Sequence, residues 1–264
     1  MGQPSLRGVF AKLDRGDKHA ECLKASIERF IDERPYRVVS EQDPETGDCL
    51  LRGEVLKRPP VHEWAVVLGD ALFNFRSALD HLAWQLARVH HPDRDPPDRT
   101  EFPIFKDAEL FEANRRSKIG GLGWEAQYLI CQSQPCYRRN RPHLDWLWSL
   151  HELNRTDKHR ELHLTGAIAK YVTFWTSRLT DLGVPEHLLA PVGAFDHREE
   201  LSRIPGPLDI PYAEVANELQ FGFDIALDPE GPAAGGNTVG LMLDMWSKTL
   251  RDEIVPQFGK FFAP

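Results

Sequence analysis

Long apolar runs are missing from this sequence, whose longest unbroken apolar stretches are only a handful of residues. A transmembrane helix needs about 20 successive apolar residues, so we expect no membrane-spanning segment and no membrane partner. The first five residues also lack the basic and apolar stretches of a secretory signal. The four cysteines have no spacing typical of a disulfide framework. We therefore expect a cytoplasmic protein with reduced thiols.

Positive charge is scarce, because 32 Lys and Arg face 40 Asp and Glu and leave a net charge of −8. A broad nucleic-acid footprint needs clustered basic residues, so we do not expect one. Two short stretches, 138–141 and 154–160, are locally basic. They permit a local site for RNA or another phosphate-bearing ligand. The alternative is that both are solvated helix ends.

Several catalytic motifs are also absent. The chain has no G-x-S-x-G, Walker or C-x-x-C motif, so serine, thiol and P-loop chemistry have no support. The pair Gly121 and Gly123 mimics a dinucleotide-binding loop, but no predicted strand precedes it. We expect neither a cofactor nor a metal.

The sequence does contain helical and extended patterns that do not alternate regularly, which predicts an α+β fold rather than a doubly wound sheet. Apolar spacing predicts a core of five helices, at 6–34, 61–90, 107–131, 142–168 and 239–262. A small antiparallel sheet is predicted from 36–57, which forms a hairpin, and 171–227, which includes strand candidates at 189–195 and 218–227. The whole chain, 1–264, is expected to be a single domain.

The predicted helix 61–90 is apolar on two sides. Its wider apolar stripe is the predicted core face, and a narrower stripe contains Val66, Phe73 and Trp84. An exposed apolar stripe of this kind needs a cover. We expect a homodimer through it, with the sheet as the alternative cover.

A polar row lies between these two stripes and includes Asn74, His81 and Gln85. Polar groups that are partly enclosed need hydrogen-bond partners. Asn74 is therefore a candidate binding residue, and His81 is a candidate catalytic residue. The alternative is that both are structural hydrogen-bonding residues.

The predicted helix 142–168 carries polar residues where one of its apolar faces should continue. They are His151, Asn154, Arg155, Lys158 and His159. Desolvating several ionisable groups is costly unless they pair or face a cavity, so this break is a candidate site. We expect a shielded anion site at Arg155 and His159, with Lys158 beside them, and we expect His81 to meet this cluster in one pocket. The alternative is a buried salt-bridge network.

Two segments resemble a pair of motifs that occur together in uncharacterised bacterial proteins, NFRSALDHL at 74–82 and LHELNRTDKHR at 150–160. The first contains R-x-x-x-x-H, from Arg76 to His81, which is similar to the signature of HEPN domains. This resemblance implies a helical bundle, commonly a metal-independent ribonuclease, whose paired residues meet their dimer mates at a cleft. It implies His81 as general acid/base and Arg76 as transition-state stabiliser. We add His159 to these two as a candidate catalytic residue.

The residues leave other interpretations open. Arg76 is also placed to pair with Asp80 at i+4 on the same helix. His159 and His163 lie on adjacent turns of the predicted helix, similar to part of the histidine triads of DinB-like bundles. Arg155 and Lys158 would repel a cation at that position.

Three functions follow from these observations. The leading expectation is a HEPN-like bacterial protein that cleaves RNA in a defence or toxin system. The second is a non-catalytic binding or interaction protein on the same scaffold, which the acidic net charge favours. The third is a metal-dependent helical-bundle enzyme.

Overall fold

The computed structural model describes residues 3–138, 141, 144–159, 164–174, 187–188, 197–227 and 237–262. Its helices and antiparallel sheets confirm the α+β class. The chain divides into two compact units, the first made of 1–23, 65–162 and 240–264, and the second of 24–64 and 163–239. Organisation as a single domain stays a prediction. Among the described helices, none combines the length and the apolar character needed to cross a bilayer.

In the part of the chain that the structure describes, the α-helices are α1 (Arg7–Asp32), α2 (Val61–His90), α3 (Ala108–Ile119), α4 (Trp124–Gln132), α5 (Pro135–Arg138), α6 (Trp146–Asp157), α7 (Tyr212–Val215) and α8 (Val239–Lys248). The strands are β1 (Tyr36–Gln42), β2 (Cys49–Val55), β3 (Leu164–Phe174), β4 (His187–Leu188), β5 (Glu200–Ile204) and β6 (Leu219–Leu227). The predicted helices 6–34 and 61–90 are confirmed almost to the residue by α1 and α2.

Within the first unit, α1 runs antiparallel along one side of α2. The Ser5 backbone N–H donates to Oε1 of Gln85 near one end, at 3.0 Å. Further along, Gly16 lies against the ring of Phe75, where a Cβ would fall 2.6 Å from the ring carbons. Only glycine permits this approach without a shift of one partner. The contact places the polar row of α2 beside α1.

Helix α6 packs against a different side of α2. The Asp157 carboxylate lies over Gly69, where an added Cβ would be 2.5 Å from Oδ1. At the other end, the buried Asp145 caps the helix by accepting from the Leu147 backbone N–H at 2.8 Å. Arg138 also donates to this carboxylate at 2.8 Å. A charge in such a position is tolerated because it is both paired and hydrogen-bonded.

The predicted helix 142–168 is confirmed only in its central part, as α6. The N-cap at Asp145 sets the start of α6 at Trp146, and residues 142–143 lie outside the described residues. The helix ends at Asp157, and residues 164–168 belong to β3, which pairs antiparallel with β6. The β-branched Thr165, Ile168 and Val172 favour this strand. Long-range pairing with β6 therefore prevails over the local helical spacing.

Two further helices are less regular than predicted. The region 107–131 forms α3 and α4, which are separated by the glycine-rich segment 120–123. The region 239–262 is helical, but after α8 it continues as a π-helical turn, Thr249–Ile254, and a 3₁₀ helix, Val255–Phe261. Pro256 lies in the first turn of that 3₁₀ helix. Since proline lacks a backbone N–H, it cannot continue an α-helical hydrogen-bond ladder.

The described residues of the second unit form two three-stranded antiparallel sheets, with strand orders β1-β2-β5 and β4-β3-β6. The predicted hairpin is confirmed, with Tyr36 opposite Val55 and Gln42 opposite Cys49. The strands divide between two sheets instead of forming the one predicted. Strand β5 was missed because its charged residues obscure the apolar pattern. The strand candidate 189–195 lies outside the described residues.

Candidate functional site: a pocket on α2

An extended segment, 101–105, runs beside α2 and is held there by side chains. Arg76 donates to Oδ1 of Asp80 at 2.6 Å and to the Phe102 carbonyl at 2.8 Å. The same Oδ1 accepts the Phe102 backbone N–H at 3.0 Å. Both backbone polar groups of Phe102 are therefore satisfied by one ion pair of α2, which we call the Phe102 clamp. The predicted pairing of Arg76 with Asp80 is confirmed.

A second side chain holds the same segment two residues further on. Gln134 donates to the Pro103 carbonyl at 2.7 Å and accepts the Phe105 backbone N–H at 3.0 Å. The Phe102 ring is fully buried and meets Phe258 edge-on, with ring centroids 6.5 Å apart. Buried backbone groups need partners, and here side chains supply what a neighbouring strand would otherwise provide.

A surface pocket of about 480 Å³ opens where this segment arrives at α2. Asp80, His81, Trp84, Gln85 and Thr100 line it. The first four occupy two successive turns of α2, since residues four apart lie on the same helix face. Thr100 comes from the returning chain, two residues before the clamped Phe102. The Phe102 clamp therefore holds Thr100 close to the four pocket residues of α2.

The polar atoms of the pocket are partly committed to the fold. Oε1 of Gln85 accepts the Ser5 backbone N–H, which fixes the orientation of the amide and turns its NH₂ group away from that contact. Oδ1 of Asp80 is occupied by the Phe102 clamp, although 37% of the Asp80 side chain remains exposed. These commitments determine which hydrogen-bonding atoms the pocket can still offer.

His81 is the predicted catalytic residue that lies on the pocket wall. Its side chain is exposed, and its Nδ1 lies close to Gly8 of α1, 3.2 Å from where a Cβ would stand. Arg76 is buried, with its guanidinium committed to the Phe102 clamp. Five residues of helix separate the directions of these two side chains by about 140°. The catalytic role of Arg76 stays a prediction, and the contacts of its guanidinium are structural.

Asn74 is buried and makes local contacts. Its Nδ2 donates to the Asp70 carbonyl at 2.8 Å, one turn earlier in α2. Its Oδ1 accepts from Nζ of Lys12 on α1 at 3.5 Å. These contacts agree with the structural alternative for this residue, while its role in binding stays a prediction.

The cluster on α6 does not have the shielding expected for an anion site. Arg155 is 62% exposed and donates to the Glu152 carboxylate at 2.8 and 3.1 Å. Lys158 and His159 are also exposed. Successive helix residues point about 100° apart, so Asn154 is directed inward and Arg155 toward solvent. Anion binding by Arg155, Lys158 and His159 stays a prediction, now for a solvent-exposed cluster.

Nor does this cluster meet His81. No residue from 151–159 lines the pocket around His81, and these positions are all within the described part of the chain. α1 lies beside His81, while α6 packs on the side of α2 that contains Gly69. The expectation of one shared pocket is therefore wrong, because the two groups lie on different sides of α2.

No protein-family model, curated protein or solved structure matched the chain.

Within the described residues, no three His, Cys, Asp or Glu side chains gather in a way that could hold a metal ion. His163, the partner of His159 in the predicted half-site, lies outside those residues.

Sequence reasoning identified His81 as a candidate site residue, but it assigned other roles to three of the remaining pocket residues and missed the fourth. Trp84 was assigned to an apolar stripe, Gln85 to a polar row and Asp80 to an ion pair. No sequence pattern predicted a role for Thr100, because this residue reaches the pocket only where the chain returns to α2 after a proline-rich loop. A helix pattern cannot predict which distant segment covers it.

His151 is the other unusual ionisable residue of this unit. Its ring lies beside Trp148, with centroids 5.7 Å apart. Burial, together with the smaller effect of the positive charge of Arg76, lowers the pKa of His151 to about 4, although the negative charge of Glu152 acts in the opposite direction. The imidazole is therefore neutral in the folded protein near neutral pH.

This lowered pKa predicts a pH-dependent stability. In the unfolded chain His151 binds a proton near pH 6.5, whereas in the folded chain it does so only near pH 4. The free energy of unfolding therefore decreases as the pH falls from about 6.5 to about 4. The loss is at most about 1.4 kcal/mol per pH unit. Urea denaturation across the window should show a weaker pH dependence in His151→Gln than in the wild type. The exposed control His159→Gln should behave as the wild type, and an identical pH dependence in all three proteins would contradict the assignment.

Proposed function

We propose that this protein binds a small planar ligand in the α2 pocket and does so without covalent chemistry. The observation that carries the proposal is the pocket built by the Phe102 clamp, in which Trp84 lies among four polar residues but most of the exposed lining surface is apolar. Ligand pockets are typically concave, mainly apolar and of about 300–1,000 Å³. The committed guanidinium of Arg76 favours binding over catalysis, because it is not free to stabilise a transition state.

The cysteines support the location expected for such a protein. All four are free thiols, which fits a reducing compartment. A cytoplasmic location is part of the same proposal.

The test of the binding proposal uses planar probes that make few hydrogen bonds. Indole has about nine heavy atoms, and a contribution of about 0.5 kcal/mol from each gives a Kd near 1 mM. Saturation-transfer NMR should detect indole and benzamide on the wild-type protein, and Trp84→Ala should remove most of the signal. The matched control is Trp124→Ala, since Trp124 is 80% exposed and outside the pocket. Equal signals from the two variants, or none from the wild type, would refute the proposal.

Metal-independent RNA cleavage by a homodimer is the second candidate. The observation that favours it is the exposed imidazole of His81 on the pocket wall beside Asp80. Val66 and Phe73, on the narrower apolar stripe of α2, are also 67% and 48% exposed. This exposed apolar surface is available for contact with a second copy of the chain. Arg76 would have to leave the Phe102 clamp to take part.

This second candidate makes a separate prediction. Light scattering should give twice the chain mass, and the dimer should cleave single-stranded RNA in the presence of a chelator. His81→Gln should abolish the cleavage because it removes the proton-transfer group. A monomeric mass, or cleavage that His81→Gln leaves unchanged, would eliminate this candidate.

A further inference from the structure

Besides the imidazole of His81 and the hydroxyl of Thr100, the pocket offers one acceptor and one donor that are held in place by the fold and are not engaged by any described residue. Oδ1 of Asp80 takes the two hydrogen bonds of the Phe102 clamp, and Oδ2 accepts none from any residue that the structure describes. Oε1 of Gln85 is occupied by the Ser5 backbone N–H. The amide NH₂ of Gln85 is the group that remains, and an amide nitrogen can only donate.

The fold fixes which of these two groups donates and which accepts, and it also fixes their positions. A free glutamine can rotate its amide and present either oxygen or nitrogen, but the Ser5 contact holds the oxygen of Gln85. The carboxylate of Asp80 cannot rotate without breaking its bonds to Arg76 and Phe102. The pocket therefore presents a defined acceptor and a defined donor, on neighbouring turns of α2.

The third feature is the indole of Trp84, one turn from Asp80 on the same helix face. An aromatic wall favours a flat ring, and stacking of a base on an aromatic side chain tolerates any base. Thr100, which reaches the pocket from the returning chain, has a hydroxyl that can either donate or accept. A ligand complementary to all three features is a planar ring whose edge carries an N–H donor close to an acceptor.

We propose that the pocket binds a nucleobase, with an N–H of the base donating to Oδ2 of Asp80, an acceptor of the base receiving the NH₂ of Gln85, and the ring stacked on Trp84. Such recognition of base edges by fixed donors and acceptors is the way in which proteins read unpaired bases. The inference rests on the proposed binding function and gives it a ligand class.

The source of the base is a free nucleoside or a nucleic acid strand. The loop before Thr100 carries the exposed carboxylates Asp93, Asp95 and Asp98 against two exposed guanidiniums, Arg94 and Arg99. This local excess of negative charge disfavours a phosphate near the pocket. We therefore expect a nucleoside to bind more tightly than its 5′-monophosphate.

The decisive variant is Gln85→Glu. One carboxylate oxygen can still accept the Ser5 N–H, so the shape is kept, while the other replaces a donor by an acceptor. Titration calorimetry with adenosine, guanosine, cytidine and uridine should show at least one nucleoside binding to the wild type, and Gln85→Glu should weaken it at least about tenfold. The matched control Gln132→Glu, at an exposed position on α4, should bind as the wild type. Indole should bind equally to all three.

The outcomes separate the two proposals. Binding of indole without binding of any nucleoside, or nucleoside binding that Gln85→Glu leaves unchanged, overturns the nucleobase inference and leaves the pocket function standing. Loss of both ligands in Trp84→Ala supports the inference independently if Gln85→Glu does not fold. Tighter binding of the monophosphate or of a short single-stranded RNA, still weakened by Gln85→Glu, supports the nucleobase and assigns it to a phosphorylated source.

Discussion

The charged pair of Arg76 and Asp80 does more than stabilise one helix. It holds both backbone polar groups of Phe102, and this contact decides where the chain returns after the loop that follows α2. A hydrogen bond to a charged group contributes about 1.5–3 kcal/mol, more than a neutral one. The clamp thus attaches an extended segment that has no neighbouring strand, and the pocket exists because that segment brings Thr100 to α2.

The same interaction sets the chemistry of the pocket. Because Arg76 is engaged, it supplies no free positive charge there. Because one oxygen of Asp80 is engaged, the carboxylate offers one acceptor in a fixed direction. On the other side, the hydrogen bond from the Ser5 backbone N–H, just before α1, occupies the Gln85 oxygen and leaves its NH₂ group as a donor. The proposed ligand class follows from these constraints on individual atoms, and not from the number of polar residues in the pocket.

Local sequence patterns were sufficient for the parts of the fold that depend on local interactions. The ends of α2, the β1–β2 hairpin and the Arg76–Asp80 pair involve residues close in sequence, so spacing predicts them. The strand character of 164–168 was missed because it depends on pairing with β6, more than 50 residues away. The strand β5 was missed because its charged residues obscure the apolar pattern, and its pairing with β2 cannot be predicted from that pattern.

The candidate site shows the same division. His81 was identified from a motif and does line the pocket, but the side chains expected to join it lie on a different side of α2. Periodicity gives the direction of each residue around its own helix. Periodicity does not predict which other element packs against each side of the helix. The prediction that Arg155 is shielded was wrong for this reason.

Amide hydrogen exchange at Phe102 tests most directly whether the Phe102 clamp holds the returning segment against α2. In the wild-type protein this amide should be protected, because its N–H is bonded to Asp80. In Arg76→Met the hydrogen bond from the guanidinium to the Phe102 carbonyl is lost, so the segment is held less firmly against α2. The Phe102 amide should then exchange about 10- to 100-fold faster, as expected for the loss of a hydrogen bond to a charged group. The amide of Ile130 in α4 should stay protected. The control Arg155→Met, which removes an exposed ion pair, should leave Phe102 unchanged. A Phe102 amide that exchanges at the rate of an unstructured chain in the wild type, or at the same slow rate in Arg76→Met, would contradict the account.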